Sequence, residues 1–235
     1  MRRIRIIFAV VFISIIIAST TFAASPIKTE HFKIVGFGGE IPKAKLERIA
    51  RDLESAYICV ANLLDIDPYR HSKIEVRVFL KPKAGRGVRA SASASSINLD
   101  ADFNNIPVLR HELTHILISK SMSNAPRWFH EGVAQYMEWG DIRRVKGPSE
   151  KAMKKFSFVR LEADFGADLT ESKAYYYSWS IVSFLIDEYG KEKLQKLFKE
   201  SGFFKDKFRK AYGIELKAIE EKANEIFTEY KPKGH

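Results

Sequence analysis

The chain has 235 residues, which suits one domain of ordinary size, and 46% of them are hydrophobic, enough to fill a core and to exclude general disorder. Its formal net charge is +10, yet the basic residues are interspersed with acids, as in the stretch KEKLQKLFKE. Such mixing is typical of a solvated surface. Because no basic tail or nucleic-acid motif accompanies the charge, we expect no nucleic-acid partner.

The first 23 residues predict a signal peptide. Three arginines come before an apolar run at positions 6–18, and Thr-Phe-Ala then fits cleavage after Ala23. The run has 13 residues, fewer than the roughly 20 that span a membrane. Removing the three arginines from the net charge of +10 leaves +7 for the rest. We expect a secreted, periplasmic or cell-envelope protein; an uncleaved membrane anchor is the alternative.

The first half of the remaining chain mixes strands with one long helix. HFKIVGF, at 31–37, predicts a short strand, and Pro42 begins a helix that extends to about Leu64. KIEVRVFLK, at 73–81, alternates apolar and charged residues, which predicts a half-buried strand. The Gly-, Ser- and Ala-rich segment at 82–101 begins as a loop, and its end, SSINLDA, is either an edge strand or a flexible loop.

The second half is predicted to be helical. Pro107 lies near the start of a helix that ends at about Ser121, and a polar break at 138–150 is expected to shape the mouth of a cleft. Strands first and helices later indicate an α+β fold, in a single domain at 24–235 with a helical subregion from about residue 150. Further helices are predicted at 126–138, 172–189, 191–201, 203–211 and 215–229.

The single cysteine, Cys59, cannot form an internal disulfide. It stands between Ile58 and Val60 in the predicted first helix, on what the pattern indicates is the apolar side. We therefore expect a buried small hydrophobic residue and not a nucleophile.

The stretch RHELTHILIS, at 110–119, contains the pattern His-Glu-x-x-His. On a helix, His111 and His115 lie one turn apart on nearly the same face, so both imidazoles can reach one zinc ion. Glu112 projects beside that ion, where it can take a proton from zinc-bound water. The pattern predicts a catalytic zinc site, whereas a helical histidine without further ligands is more often structural.

A catalytic zinc site needs a third protein ligand and one open position. Ile118 and Ser121 stand where the HExxHxxGxxH motif has its glycine and third histidine, so that solution is excluded. The next predicted helix supplies two candidates, His130 and Glu131. They point about 100° apart on that helix, so only one of them can face the metal.

Three segments together resemble the peptidase-MA-like gluzincin metallopeptidases: RHELTHIL, PRWFHEGVAQYME and AYYYSWSIVSFLIDEYGKEKLQKLF. The resemblance extends from about residue 74 to 227. It implies a zincin-like fold with a small N-terminal sheet, an active-site helix and a mainly helical C-terminal part. It also implies one Zn²⁺ ion bound by His111, His115 and Glu131, with Glu112 as the general base.

The resemblance implies roles for further residues. Tyr175 aligns with a tyrosine that stabilises the oxyanion in related enzymes, although the next two tyrosines compete for that role. Many related enzymes have an acidic residue four positions after the glutamate ligand. Here that position holds Gln135, whose amide oxygen can still accept a hydrogen bond from a histidine. Trp128 is expected to pack in the core, and Gly132 to let two helices approach closely.

The expected function is hydrolysis of peptide bonds in a peptide or protein substrate, by zinc-activated water with Glu112 as base. No exopeptidase anchor is recognisable, which favours an endopeptidase. If SSINLDA is an edge strand, a substrate could add to it as an extra strand. The alternative is a catalytically silent protein of the cell envelope that keeps the zincin-like fold as a binding module.

Overall fold

The computed structural model describes residues 25–80, 90–93, 95–140, 156–165 and 171–229. The predicted signal peptide, the first part of the predicted loop and most of the polar break at 138–150 lie outside the described residues, so they stay predictions. Within the described ranges, no helix is both long enough and apolar enough to cross a membrane.

A five-stranded sheet forms the N-terminal part of the described chain. Its strands are β1 (Ile27–Lys28), β2 (Phe32–Phe37), β3 (Ile74–Phe79), β4 (Ala90–Ser93) and β5 (Ser96–Asp100). The strand order is β1-β2-β3-β5-β4; the three central strands are parallel, and the two short edge strands run antiparallel to their neighbours. Ile34, Val76 and Ile97 lie in register across the central strands and are buried, so the half-buried strand predicted at 73–81 is confirmed.

SSINLDA forms a strand, β5, but β5 is not the edge of the sheet. β4 covers its outer side, with Ala90 opposite Leu99 and Ser93 opposite Ser96. β4 lies in the part of the 82–101 segment where only a loop was predicted. Its sequence, ASAS, has no hydrophobic alternation from which a strand could be recognised. Among the described strands, the edge on this side of the sheet is therefore β4.

The first helix, α1 (Lys43–Leu64), has the predicted position and buries one apolar stripe that includes Leu53 and Val60. Cys59, however, is exposed, which corrects the prediction that it is buried. At 100° per residue, Cys59 lies roughly 120° from the centre of the buried stripe. Its apolar neighbour Ile58 is itself 50% exposed, so apolar neighbours alone gave the wrong orientation.

Within the described residues, seven further helices follow the sheet. They are α2 (Ile106–Ser121), α3 (Arg127–Trp139), α4 (Phe158–Asp164), α5 (Glu171–Tyr189), α6 (Lys191–Lys199), α7 (Phe204–Tyr212) and α8 (Leu216–Glu229). Only α4 was not predicted; its seven residues are too few to show a helical repeat. The architecture is α+β with a mainly helical C-terminal part, as predicted, and one apolar core extends from Phe32 to Ala223.

Helix α3 packs between α2 and α5, which places it at the centre of the helical part. Trp128 is 1% exposed, with its ring 4.6 Å from that of Phe158 and 5.9 Å from that of Phe204, so its predicted packing role is confirmed. A Cβ atom added to Gly132 would lie 2.4 Å from the carbonyl oxygen of Ser178 on α5. Gly132 therefore allows the close helix approach that its sequence context predicted.

Candidate metal centre

Helix α2 has a well-formed N-terminus that fixes where its histidines lie. The Asn105 side chain accepts a hydrogen bond from the Val108 backbone N–H, and Pro107 occupies the first turn, where its missing N–H has no cost. Leu113 and other apolar residues of α2 face the core. His111 and His115 lie beside this buried face, with 15% and 24% of their side chains exposed.

Three side chains bring their donor atoms together at this point. The Nε2 atoms of His111 and His115 are 3.1 Å apart, and the Oε2 atom of Glu131 lies 3.8 Å from the first and 3.4 Å from the second. Ligands on a tetrahedral zinc ion with bonds of 2.0–2.1 Å are separated by about 3.3 Å. The three side chains therefore fit one metal ion, and the described residues contain no other such group.

One carboxylate oxygen of Glu131 faces the histidines, and the other faces the Arg127 guanidinium. Its Oε1 lies 3.7 Å from the Nε of Arg127, which is one turn earlier on α3. Burial by itself raises the pKa of Glu131, but His115, His111 and Arg127 together bring it below the usual range. Glu131 is therefore ionised at neutral pH, which is the state that a metal ligand needs.

The structure corrects the predicted contact of Gln135 with the histidines. Within the described residues Gln135 makes no hydrogen bond to either of them, and the Oε2 of Glu138 lies 2.8 Å from the Nδ1 of His111 instead. The two atoms are in close contact, although the angle at the ring nitrogen is not that of a hydrogen bond. Burial lowers the pKa of His111, but Glu138, with smaller effects of Glu112 and Glu131, raises it above its usual range.

Sequence reasoning missed Glu138 because it considered only the position one turn after Glu131. Seven residues rotate by about 700°, so Glu138 lies within about 20° of Glu131 on the helix and roughly 10 Å further along it. In the structure the carboxylate beside the Nδ1 of His111 lies further along α3 than Gln135. The seven-residue spacing was the signal, but Glu138 stood at the boundary between the predicted helix at 126–138 and the polar break at 138–150.

His130 lies beside the centre without joining it. Its ring is nearly parallel to that of His115, with the centroids 6.0 Å apart, and its nitrogens are not among the converging donor atoms. Burial, with a smaller effect of His115, lowers the pKa of His130 to about 4, so it is neutral at physiological pH. Of the two candidates for the third ligand, the structure brings Glu131 to the two histidines.

Glu112, the predicted base, is half-buried on α2 next to His111. In the part of the chain that the structure describes, its carboxylate makes no hydrogen bond or ion pair. Among the described carboxylates near the histidines, Glu131 and Glu138 both contact imidazoles, whereas Glu112 acts on His111 only through its charge. A base that must accept and return a proton needs this freedom.

The three tyrosines of α5 differ in their surroundings. Tyr177 is 7% exposed and belongs to the apolar core, whereas Tyr175 and Tyr176 are partly buried. The Tyr175 ring lies edge-on against Phe165 at 5.5 Å, and the same Phe165 ring stacks with the Arg127 guanidinium at 4.6 Å. The Phe165 ring therefore lies between Tyr175 and Arg127, the residue that contacts Glu131. The role of Tyr175 at the oxyanion stays a prediction.

Comparison with known families covers most of the elements described above. A model of the Peptidase MA superfamily matches residues 97–228, more than half of the chain, from β5 nearly to the end of α8. This match includes α2, α3 and every residue of the candidate centre. No individually curated protein matches the chain. The extent of the family match shows that the chain belongs to the Peptidase MA superfamily.

Proposed function

We propose that this protein is a zinc-dependent peptidase that hydrolyses peptide bonds, with a preference for internal bonds. Family membership supports a peptidase-like function in general. The observation that carries the finer proposal is the convergence of two imidazoles and one ionised carboxylate, at 3.1, 3.4 and 3.8 Å, beside the unengaged Glu112. Two histidines and a glutamate, with a fourth position open, form a donor set of catalytic zinc sites.

A zinc ion held by His111, His115 and Glu131 would lower the pKa of its water to about 7 and polarise the substrate carbonyl. Glu112 then accepts the proton of the attacking water and delivers it to the leaving amine. The Tyr175 hydroxyl is proposed to donate a hydrogen bond to the carbonyl oxygen as negative charge develops there.

The substrate is proposed to bind as an extended chain along β4. This strand pairs with β5 on one side, and α2 packs against it. The sequence of β4, ASAS, carries only small side chains, so a peptide backbone can closely approach the N–H and C=O groups on its outer side, where no described strand pairs with it. Main-chain hydrogen bonds of this kind give affinity with little dependence on sequence.

The test combines metal analysis with digestion of a mixed peptide library, read out by mass spectrometry. We expect about one zinc ion per chain, chelator-sensitive cleavage, and a roughly 10³-fold slower rate for Glu112→Gln with zinc retained. Glu47→Gln is the matched control, because it makes the same change at a partly exposed helical glutamate in α1, away from the candidate centre. A Glu112→Gln variant that cleaves at the wild-type rate contradicts the mechanism.

The same experiment separates the peptidase from the binding module. Stoichiometric zinc without turnover of any library peptide would favour a catalytically silent module. The cleavage positions also distinguish an endopeptidase, which cuts within peptides, from an exopeptidase, which removes residues from their ends.

We also propose that the protein acts outside the cytoplasm after removal of its N-terminal segment. Three arginines followed by an apolar run and a small-residue cleavage pattern support this proposal. The mass of the mature protein isolated from its native host tests it: we expect a chain that begins at Ala24. A full-length chain found in the membrane fraction would support the anchor instead.

A further inference from the structure

We propose that Glu138 is a positioning residue of the metal centre, which orients His111 and directs its Nε2 lone pair at the metal. The inference rests on the proposed function, because it concerns the binding of the same metal ion. It assigns a role to a residue two helical turns beyond Glu131, where the sequence pattern of related enzymes does not place one.

The two nitrogens of His111 face different partners. Its Nε2 lies 3.1 Å from the Nε2 of His115, among the donor atoms, and its Nδ1 lies 2.8 Å from the Oε2 of Glu138. A neutral imidazole carries one proton, and a metal can bind only the nitrogen without it. A carboxylate at Nδ1 holds the proton there, so Glu138 selects the tautomer whose Nε2 is free to bind a metal.

The contact also fixes the orientation of the ring. Only 15% of the His111 side chain and 12% of the Glu138 side chain are exposed, so water competes little for either group. Helix α3 thus holds the centre at two points, with Glu131 at the donor atoms and Glu138 behind His111. His115 has no corresponding carboxylate within the described residues; its ring lies beside that of His130.

This arrangement makes the two histidines unequal. His111 is fixed by a charged contact on the side away from the donor atoms, whereas His115 is held by packing and by Glu131. Loss of a contact behind a metal-binding histidine weakens metal affinity about 10- to 100-fold in general. We expect this loss for Glu138 and not for Gln135, which is half-buried one turn earlier on the same helix.

The experiment measures zinc affinity at pH 7 by competition with a chromogenic chelator, on the full mature chain. The variants are Glu138→Ala, Glu138→Gln and, for comparison, Gln135→Ala. We expect about 10- to 100-fold weaker binding for Glu138→Ala and about 3- to 10-fold for Glu138→Gln, which keeps a polar oxygen beside the ring without the negative charge. Gln135→Ala is expected to change the affinity less than about twofold.

Urea unfolding of the metal-free proteins separates positioning from a structural role. Positioning predicts weaker zinc binding with a nearly unchanged unfolding midpoint, while a purely structural ion pair predicts a lower midpoint with unchanged zinc affinity. If Glu138→Ala does not fold, Glu138→Gln decides the question alone.

The outcomes also separate this inference from the proposed function. A wild-type protein that binds no zinc overturns both. Wild-type zinc binding that neither Glu138 variant weakens overturns only the role of Glu138, as does a loss of affinity confined to Gln135→Ala.

Discussion

Two clusters of histidines and carboxylates in this protein differ in where their donor atoms point. In the candidate metal centre, the Nε2 atoms of His111 and His115 and one oxygen of Glu131 face one another. In the other cluster, His31 lies between two separate carboxylates: its Nδ1 is 2.6 Å from Glu54, and its Nε2 is 3.6 Å from Asp67.

The second cluster is satisfied by the protein itself. The His31 backbone N–H also donates to Glu54 at 2.9 Å, and the His31 ring stacks on Tyr57 at 3.8 Å. The Tyr57 hydroxyl in turn donates to Asp67 at 2.7 Å. These contacts tie the start of β2 to α1 and to the segment after it, and they leave no group of donors that a metal could bridge.

The difference shows that the number of histidines and carboxylates does not identify a metal site. Convergence of three donor atoms is what makes a group able to hold a metal ion, because a cation between them is bound by all three lone pairs. Where each polar atom already has a complementary partner, as around His31, the same residue types serve stability. The two clusters should therefore respond to mutation in opposite ways.

The largest effect is expected for His115→Ala, which removes one of the three converging donors. Zinc affinity should fall by about 10³-fold or more, because two remaining ligands cannot hold the ion in a catalytic geometry. The free energy of unfolding of the metal-free protein should change by about 1 kcal/mol or less. Chelator competition measures the zinc affinity, and urea unfolding measures the free energy of unfolding. A zinc affinity that stays at the wild-type value would contradict a metal centre at these three residues.

His31→Ala should have the opposite signature. It removes the partner of a mostly buried carboxylate, since only 19% of the Glu54 side chain is exposed, and it removes the stacking on Tyr57. We expect the free energy of unfolding to fall by about 3 kcal/mol, with zinc affinity unchanged.

Lys43→Ala provides the control for His31→Ala. It breaks the Lys43–Glu47 pair on α1, the helix that also carries Glu54, and the lysine side chain of this pair is 84% exposed. The free energy of unfolding should therefore fall by less than about 0.5 kcal/mol. A His31→Ala protein that is as stable as Lys43→Ala would mean that the second cluster has no structural role.

The smallest effect is expected from the pH dependence of the Glu54 contact. Burial raises the pKa of Glu54, but hydrogen bonds from His31 and Thr29 outweigh it and bring the pKa below its usual range. A carboxyl with a lower pKa in the folded than in the unfolded state stabilises the fold above its unfolded pKa, and this contribution is lost as the pH falls through its folded pKa.

Glu54→Gln tests this dependence. We expect the variant to be about 2 kcal/mol less stable than wild type at neutral pH, because a charged hydrogen-bond acceptor is lost. The difference should shrink as the pH falls from about 6 to about 3. Urea unfolding over this range measures it, and a difference that stays constant with pH would contradict an ionised Glu54 in the folded state.

Much of the fold was predictable because its elements carry strong local patterns. The periodicity of α1, the alternation of β3 and the prolines at the starts of α2 and α3 gave positions that agree with the structure within a few residues. The strand β4 and the short helix α4 were not predictable. The strand has only small side chains, and the helix has only seven residues, so its place depends on packing against other helices.

The candidate site shows the same division. The HExxH pattern predicted that His111 and His115 lie one turn apart, because this spacing follows from the helical repeat alone and needs no tertiary contact. The pattern on the next helix left His130 and Glu131 as alternatives, and only the packing of α3 on α2 brings the Glu131 carboxylate to the histidines.

Orientation was where local patterns were insufficient. The apolar neighbours of Cys59 suggested burial, but the helix turns it outward. One-turn spacing suggested Gln135 as the partner of a histidine, but in the structure Glu138 is the residue beside the Nδ1 of His111.

By itself, the sequence determined the residues that can bind a metal and the helices that carry them, because helical spacing and residue chemistry are local properties. Only the tertiary structure decided which donors converge at 3.1 to 3.8 Å, which carboxylate stands behind His111, and which strand forms the edge beside α2. Those facts depend on the rotation and separation of neighbouring elements. The packing of the whole core sets both, through contacts such as that of Gly132 with α5.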